Sequence, residues 1–111
     1  MNDLNSVILE GVLFDKDDLS QTFIGTKVLN FKVKSVRTYK DRSGSERTET
    51  GVFYVRCFGN LANIVNDKAK KDTPLRIVGK LKEENERVVL IAEHVEIRYK
   101  HEEETDSEKD S

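Results

Sequence analysis

If the stretch VFYVRCF, Val52 to Phe58, is a strand, it carries two different surfaces, because successive side chains point to opposite faces. Phe53, Val55 and Cys57 are uniformly apolar. Val52, Tyr54, Arg56 and Phe58 set an arginine between two aromatic rings. Cations accumulate in the same part of the chain. From Thr26 to Phe58 there are eight basic residues (Lys27, Lys32, Lys34, Arg37, Lys40, Arg42, Arg47 and Arg56) against three acids. The chemistry open to such a set is binding: a local excess of positive charge attracts a polyanion. The alternative, equally open on charge alone, is that charged strands simply keep the protein in solution.

Reaction chemistry has no comparable signal. There is no Ser/His/Asp or Cys/His constellation, no glycine-rich phosphate loop, and no set of acids clustered at one strand edge. His94 and His101 have no partner at ligand spacing, so neither a metal nor another cofactor is expected. The single cysteine, Cys57, excludes a disulfide framework and reads by parity as a small core residue. The protein is therefore expected not to be an enzyme.

The charge is uneven along the chain. The last eleven residues, HEEETDSEKDS, hold six acids and one lysine, whereas residues 1–100 hold 18 basic and 15 acidic groups. Residues 1–100 are expected to form one domain, and 101–111 an acidic disordered tail. That tail either only solubilises the chain or competes with a polyanion for the basic face. No apolar run approaches the ~20 residues that span a bilayer. The opening MNDLNSVILEGVL lacks the basic region and cleavage site of a signal peptide. A cytoplasmic, nucleoid-associated protein without membrane contact is the expectation.

The elements that must position these groups follow from periodicity. VILEGVL, Val7 to Leu13, reads as a strand with Gly11 at a bulge or bend. FDKDDLSQT is turn-like. VLNFKVKSV, Val28 to Val36, alternates Leu29, Phe31 and Val33 inward with Asn30, Lys32 and Lys34 outward. Ser43-Gly44-Ser45 marks a hairpin into the strand Val52 to Phe58. Leu61, Ile64, Val65 and Ala69 then fall at helical spacing, with Asn60 as N-cap and Pro74 beyond the helix end. LRIVGKL is a strand with Leu75, Ile77 and Leu81 inward; KEENE is a turn; RVVLIAEHVEIRY is the last strand. Phe23, Phe31 and Phe53 read as core, while Phe14 and Tyr99 are open. Three strands, one helix and two strands predict an all-β domain with one helix. Its architecture is a five-stranded Greek-key barrel of the oligonucleotide/oligosaccharide-binding (OB) fold, the helix lying between strands 3 and 4.

In that order the residues resemble the bacterial single-stranded DNA-binding proteins. The similarity is carried by MNDLNSVILEGVLFDKDDL, GTKVLNFKV, YKDRSGSERTET, FGNLANIV, LRIVGKL and AEHVEI, over about residues 1–98. The resemblance implies a homo-oligomer, a tetramer by analogy or a dimer, that binds single-stranded DNA with little sequence preference. It also implies that Tyr39 and Phe58 occupy base-stacking positions. Val52 stands where the family has a further ring; Tyr54, two residues along the same face, is the substitute to weigh. Stacking accepts any base, and cations track the phosphates. The candidate binding set is thus Tyr39, Phe58, Tyr54, Arg56, Lys32, Lys34, Arg37, Lys40, Arg42 and Arg47. Phe58 and Tyr54 also have a packing alternative, under a loop or in a subunit contact.

The sequence departs from the family in three further places. KEENE is a short connection without the family's tryptophan, and Ser20 and Gln21 replace an arginine and a tyrosine. The acidic end lacks the Pro-Phe tip that docks replication and repair proteins. These departures keep alternatives in view: an accessory OB protein of replication restart acting through protein contacts, or an RNA-binding module.

Overall fold

The computed structural model describes residues 2–98. In chain order the elements are β1 (Val7–Lys16), β2 (Ser20–Gln21), β3 (Lys27–Lys40), β4 (Glu46–Phe58), α1 (Asn60–Lys68), β5 (Pro74–Glu84) and β6 (Arg87–Ile97). The sheet runs β1-β5-β6-β4-β3-β2, and β1 also pairs with β3, which closes the five long strands into a barrel. The β4–β6 step is parallel, through Val55–Leu90 and Arg56–Ile91. With α1 between the third and fourth long strands, this is the OB barrel. The pair Ser20–Gln21 is a two-residue addition to β3, in a segment read from sequence as turn. Tyr99, His101 and the acidic tail lie outside the described residues.

The interior is built by alternation. Leu29, Phe31 and Val33 of β3 face Val55 and Cys57 of β4, joined by Leu13, Leu75, Ile77, Leu90 and Ala92. Ala62 and Val65 of α1, with Ala69 at its C-cap, plug one end of the barrel. Full burial of a Leu, Ile or Val side chain contributes roughly 1.5–3 kcal/mol, so this cluster dominates the stability. Burial raises the Cys57 thiol to about 11, the behaviour of an inert core sulfur.

The strand details differ from the sequence reading at several points. The bulge of β1 lies at Phe14, not at Gly11: Leu13 pairs with Val33 but Asp15 pairs with Lys32, leaving Phe14 as the extra residue. Gly11 serves close approach instead, since a Cβ there would stand 2.3 Å from the Lys34 carbonyl oxygen. The bulge flips parity, so Lys16 turns toward α1, and its Nζ donates to the Asn66 and Ala69 oxygens at 2.6 and 3.0 Å. The helix N-cap is Gly59, with φ 67, rather than Asn60, and no side chain caps it. Ile64 is exposed, on the solvent side of the helix.

Only Asn85 and Glu86 of KEENE form the turn. Both have positive φ, 49° and 65°, as a two-residue type I′ hairpin requires. Three aromatic and aliphatic residues expected inside are outside. Phe23 and its neighbour Ile24 project from the turn at Thr22–Thr26, fully exposed. Phe53 is 46% exposed and Leu81 44%, because both lie past the closed part of the barrel. There they line an open apolar groove with Val7, Leu9, Val88 and Leu90. The Phe53 ring folds over Gly51, where a Cβ would be 2.7 Å from it. Strand parity was right for Phe53; barrel length overrode it.

Candidate nucleic-acid interface

The outward rows of β3 and β4 meet in register: Val28 opposite Phe58, Asn30 opposite Arg56, Lys32 opposite Tyr54, Lys34 opposite Val52. The arrangement brings together five residues singled out from sequence, Lys32, Lys34, Tyr54, Arg56 and Phe58. Tyr54 and Phe58 share a face four residues apart, about 13 Å along a strand, with Arg56 between them. The Lys32 ammonium stands 5.5 Å from the Tyr54 ring centre, and the Arg87 guanidinium covers the same ring at 4.3 Å. Cations this close to an aromatic face are held by the ring quadrupole. Tyr54 therefore does not pack under a loop; it stands half-exposed in a depression that Asn30, Lys32, Arg56 and Arg87 line.

Arg56, expected to contact phosphate, is engaged within the protein. Its Nη1 and Nη2 donate to Glu84 at 2.6 and 2.9 Å, and its Nε donates to the Asn30 side-chain oxygen at 2.7 Å. The hydrogen bonds from Arg56 hold the Glu84 carboxyl down at about 2, and the carboxylate in turn raises the guanidinium. The guanidinium is a fixed plane in the groove floor rather than a mobile cation. Asp15 and Asp17 line the same depression, so its cations are partly offset. Among the described residues, Lys32 and Arg87 form no ion pair and remain available to an anion.

The other site residues lie elsewhere. Arg37, Tyr39 and Arg47 occupy odd positions of the β3–β4 ribbon and project from the face opposite Lys32 and Tyr54. Arg37 stacks on Tyr39 at 4.6 Å and pairs with Glu49 at 2.8 Å. Arg47 binds Asp41, whose carboxylate also accepts from Ser43 and Ser45 and so organises the hairpin tip. The Ser43 hydroxyl foremost, then Arg47, pull Asp41 to about 2. Lys40 and Arg42 are exposed at that tip. The arm is thus a second surface, and Tyr39 does not join Tyr54 in one groove.

Sequence reasoning missed Arg87 and Asn30 as partners of the site. Arg87 reaches Tyr54 only because β6 pairs with β4 across some thirty residues of chain, and no local pattern announces that contact. Asn30 was legible as an outward residue, but its role as acceptor for Arg56 is set by register. Among the described residues no group of three or more His, Cys, Asp or Glu is arranged to hold a metal ion. No helix among them is long and apolar enough to cross a membrane.

A closed barrel of five long strands with its helix between the third and fourth defines the OB fold. The family model for the single-strand binding protein family matches residues 4–102, and the chain belongs to that family. It is 32% identical over 78 residues to Single-stranded DNA-binding protein 1 of Chlorobaculum tepidum. That match covers 70% of this chain and 48% of the relative, so the chain spans about half the relative's length. Among solved structures, the wild-type single-stranded DNA-binding protein from Thermus aquaticus superposes with a TM-score of 0.73 at 26% identity. The superposition covers 86% of this chain and 50% of that one. The protein PriB from Ralstonia solanacearum matches with a TM-score of 0.74 at 18% identity, over 87% of this chain and 100% of that chain, which is a likeness of fold.

Proposed function

We propose that this protein binds single-stranded DNA with little regard for sequence and protects it during replication, recombination and repair. The observation that carries this reading is the half-exposed Tyr54 ring with Lys32 over it at 5.5 Å and Arg87 at 4.3 Å. A flat ring accepts any base, and the two cations would meet the phosphates beside it. Phe58 supplies a second ring on the same face, and Tyr39, Lys40 and Arg42 on the hairpin arm a second surface for a longer strand. Membership of the single-strand binding protein family supports the same conclusion.

Self-association belongs to this reading. Phe53, Leu81 and Val88 expose apolar area along one groove, which a second copy of the chain would cover. Light scattering across a concentration series reads whether the product is a dimer or a tetramer.

Asp15, Asp17 and Glu84 around the groove, with Val52 in place of a ring, favour a second reading: an accessory OB protein that works through protein contacts, or one that prefers RNA. Titration of labelled oligo-dT, oligo-rU and duplex DNA at two salt concentrations separates them. Single-strand binding predicts dT well above duplex, with weaker binding on Tyr54→Ala and Phe58→Ala. Equal affinity for duplex, or indifference to both substitutions, defeats it.

A further inference from the structure

Phe14 has no place in the core, although it lies inside a strand. It is the extra residue of the β1 bulge, so it and Asp15 both face outward. A bulge re-aims side chains in this way at the cost of one unpaired residue in the ladder. What surrounds the ring is cationic. The Lys71 ammonium lies 4.7 Å from the ring centre and that of Lys34 5.8 Å. Lys71 also donates to the Phe14 carbonyl oxygen at 3.1 Å.

Lys71 is held there by its backbone. The loop after α1 is tied to β1 immediately after it, Asp72 N–H donating to the Leu13 oxygen at 2.8 Å and Leu13 N–H to the Thr73 oxygen at 2.9 Å. Asp72 takes a left-handed conformation, φ 71, to make that turn. The ring is thus a half-exposed apolar plate with two ammonium groups close over it, as Lys32 and Arg87 lie over Tyr54.

The two plates are connected. Lys32 and Lys34 are successive outward residues of β3, about 7 Å apart along the strand. Lys32 serves Tyr54 toward β4, and Lys34 serves Phe14 toward β1. Lys34 pairs with Val52 on one side and Val12 on the other, so the row of cations crosses from the β4 edge of the groove to the bulge.

We propose that Phe14, with Lys34 and Lys71, is a further nucleic-acid contact, a base-stacking plate that extends the Tyr54 groove across β3 to the loop after α1. This rests on the single-strand reading above, and its ligand is the next stretch of the same single strand. An ion-rich ring serving only to fix the bulge is the competing account.

The chain contains no tryptophan, so Phe14→Trp places a sole indole at the plate. With binding followed independently by anisotropy of labelled dT35, the indole emission is expected to be quenched as the strand saturates the protein. Phe14→Ala should weaken dT35 binding about 5- to 10-fold, the lower part of the range for one lost stack. Lys71→Met should flatten the log–log salt dependence by roughly 0.7, one phosphate contact. If Phe14→Ala melts early, Phe14→Leu keeps the apolar bulk and the indole readout still decides. Unquenched emission from a Phe14→Trp protein that binds dT35 normally overturns the plate alone. Failure of the wild-type protein to bind dT35 overturns the single-strand reading and the plate with it.

Discussion

Arg56 and Glu84 meet fork to fork, with Nη1–Oε2 at 2.6 Å and Nη2–Oε1 at 2.9 Å, while Asn30 takes the remaining Nε–H. Both side chains are about three-quarters shielded from solvent, and the pair ties β4 to the end of the β5–β6 hairpin. A bidentate guanidinium–carboxylate pair of this kind is both stronger and more directional than an ordinary surface ion pair.

The pair makes stability pH-dependent with a definite sign. Glu84 titrates at about 2 in the folded protein against an ordinary 4.5. A depressed carboxyl stabilises the fold fully above its ordinary pKa, and that contribution is lost as pH falls from about 4.5 toward 2. Glu84→Gln should therefore flatten the acid limb of a melting-temperature profile in that window. A variant whose acid limb matches the wild type over pH 2–4.5 would show the pair to be inconsequential.

Freeing Arg56 should also alter binding. Glu84→Gln removes a negative charge from the groove and releases a cation, so affinity for dT should rise severalfold at low salt, with a steeper salt dependence. Unchanged affinity would place Arg56 outside the path of the strand.

Tyr54→Ala should cost about 1–3 kcal/mol of binding, roughly 5- to 140-fold, the range for one base–aromatic stack. Tyr54→Phe should restore most of it, since the ring face and not the hydroxyl does the work. Arg87→Ala should weaken binding less and flatten the salt slope. Tyr39→Ala, on the opposite face of the ribbon, should affect long oligonucleotides and spare short ones; equal losses at both lengths would mean the two faces act as one site.

Gly79 tolerates no side chain. A Cβ there would stand 2.0 Å from the Ile91 carbonyl oxygen, at the point where the β5–β6 register shifts between Val78 and Gly79. Gly79→Ala should destabilise by at least the ~1–3 kcal/mol typical of overpacking, or about 4–8 °C in melting temperature per kcal/mol for a domain of this size.

Cys57 should resist alkylation at neutral pH in the folded protein and react only on unfolding, because it is buried and its thiol is raised to about 11. Prompt labelling of the native protein by iodoacetamide would contradict that.

Lys16 gives a test of the bulge. Its Nζ completes the C-terminal end of α1 through two carbonyl oxygens, an arrangement favoured also by the negative helix end. Lys16→Met should cost on the order of 1–2 kcal/mol, readable by chemical denaturation.

Much of this was legible in the linear chain. Alternation in VLNFKVKSV put Leu29, Phe31 and Val33 inside and Lys32 and Lys34 outside, because a pleated strand has a strict period of two. The helical spacing of Leu61, Ile64, Val65 and Ala69 and the hairpin signal at Ser43-Gly44-Ser45 located the other elements, although Ile64 faces solvent, and their order implied the barrel. Local rules failed where a distant strand decides the outcome. Phe53 obeys inward parity yet is exposed, because the barrel closes before it; Phe14 turns outward because β1 inserts a residue against β3. Tyr39 and Tyr54 look equivalent as aromatic residues near cations, but odd and even positions of one ribbon send them to opposite faces. The sequence by itself determined which residues could bury, which could stack and which could carry charge, since those are properties of side chains and near neighbours. Only the tertiary structure decided that Arg56 spends its charge on Glu84 and that Arg87 covers Tyr54. Both contacts cross from β4 to the β5–β6 hairpin, and they exist only once the barrel has closed.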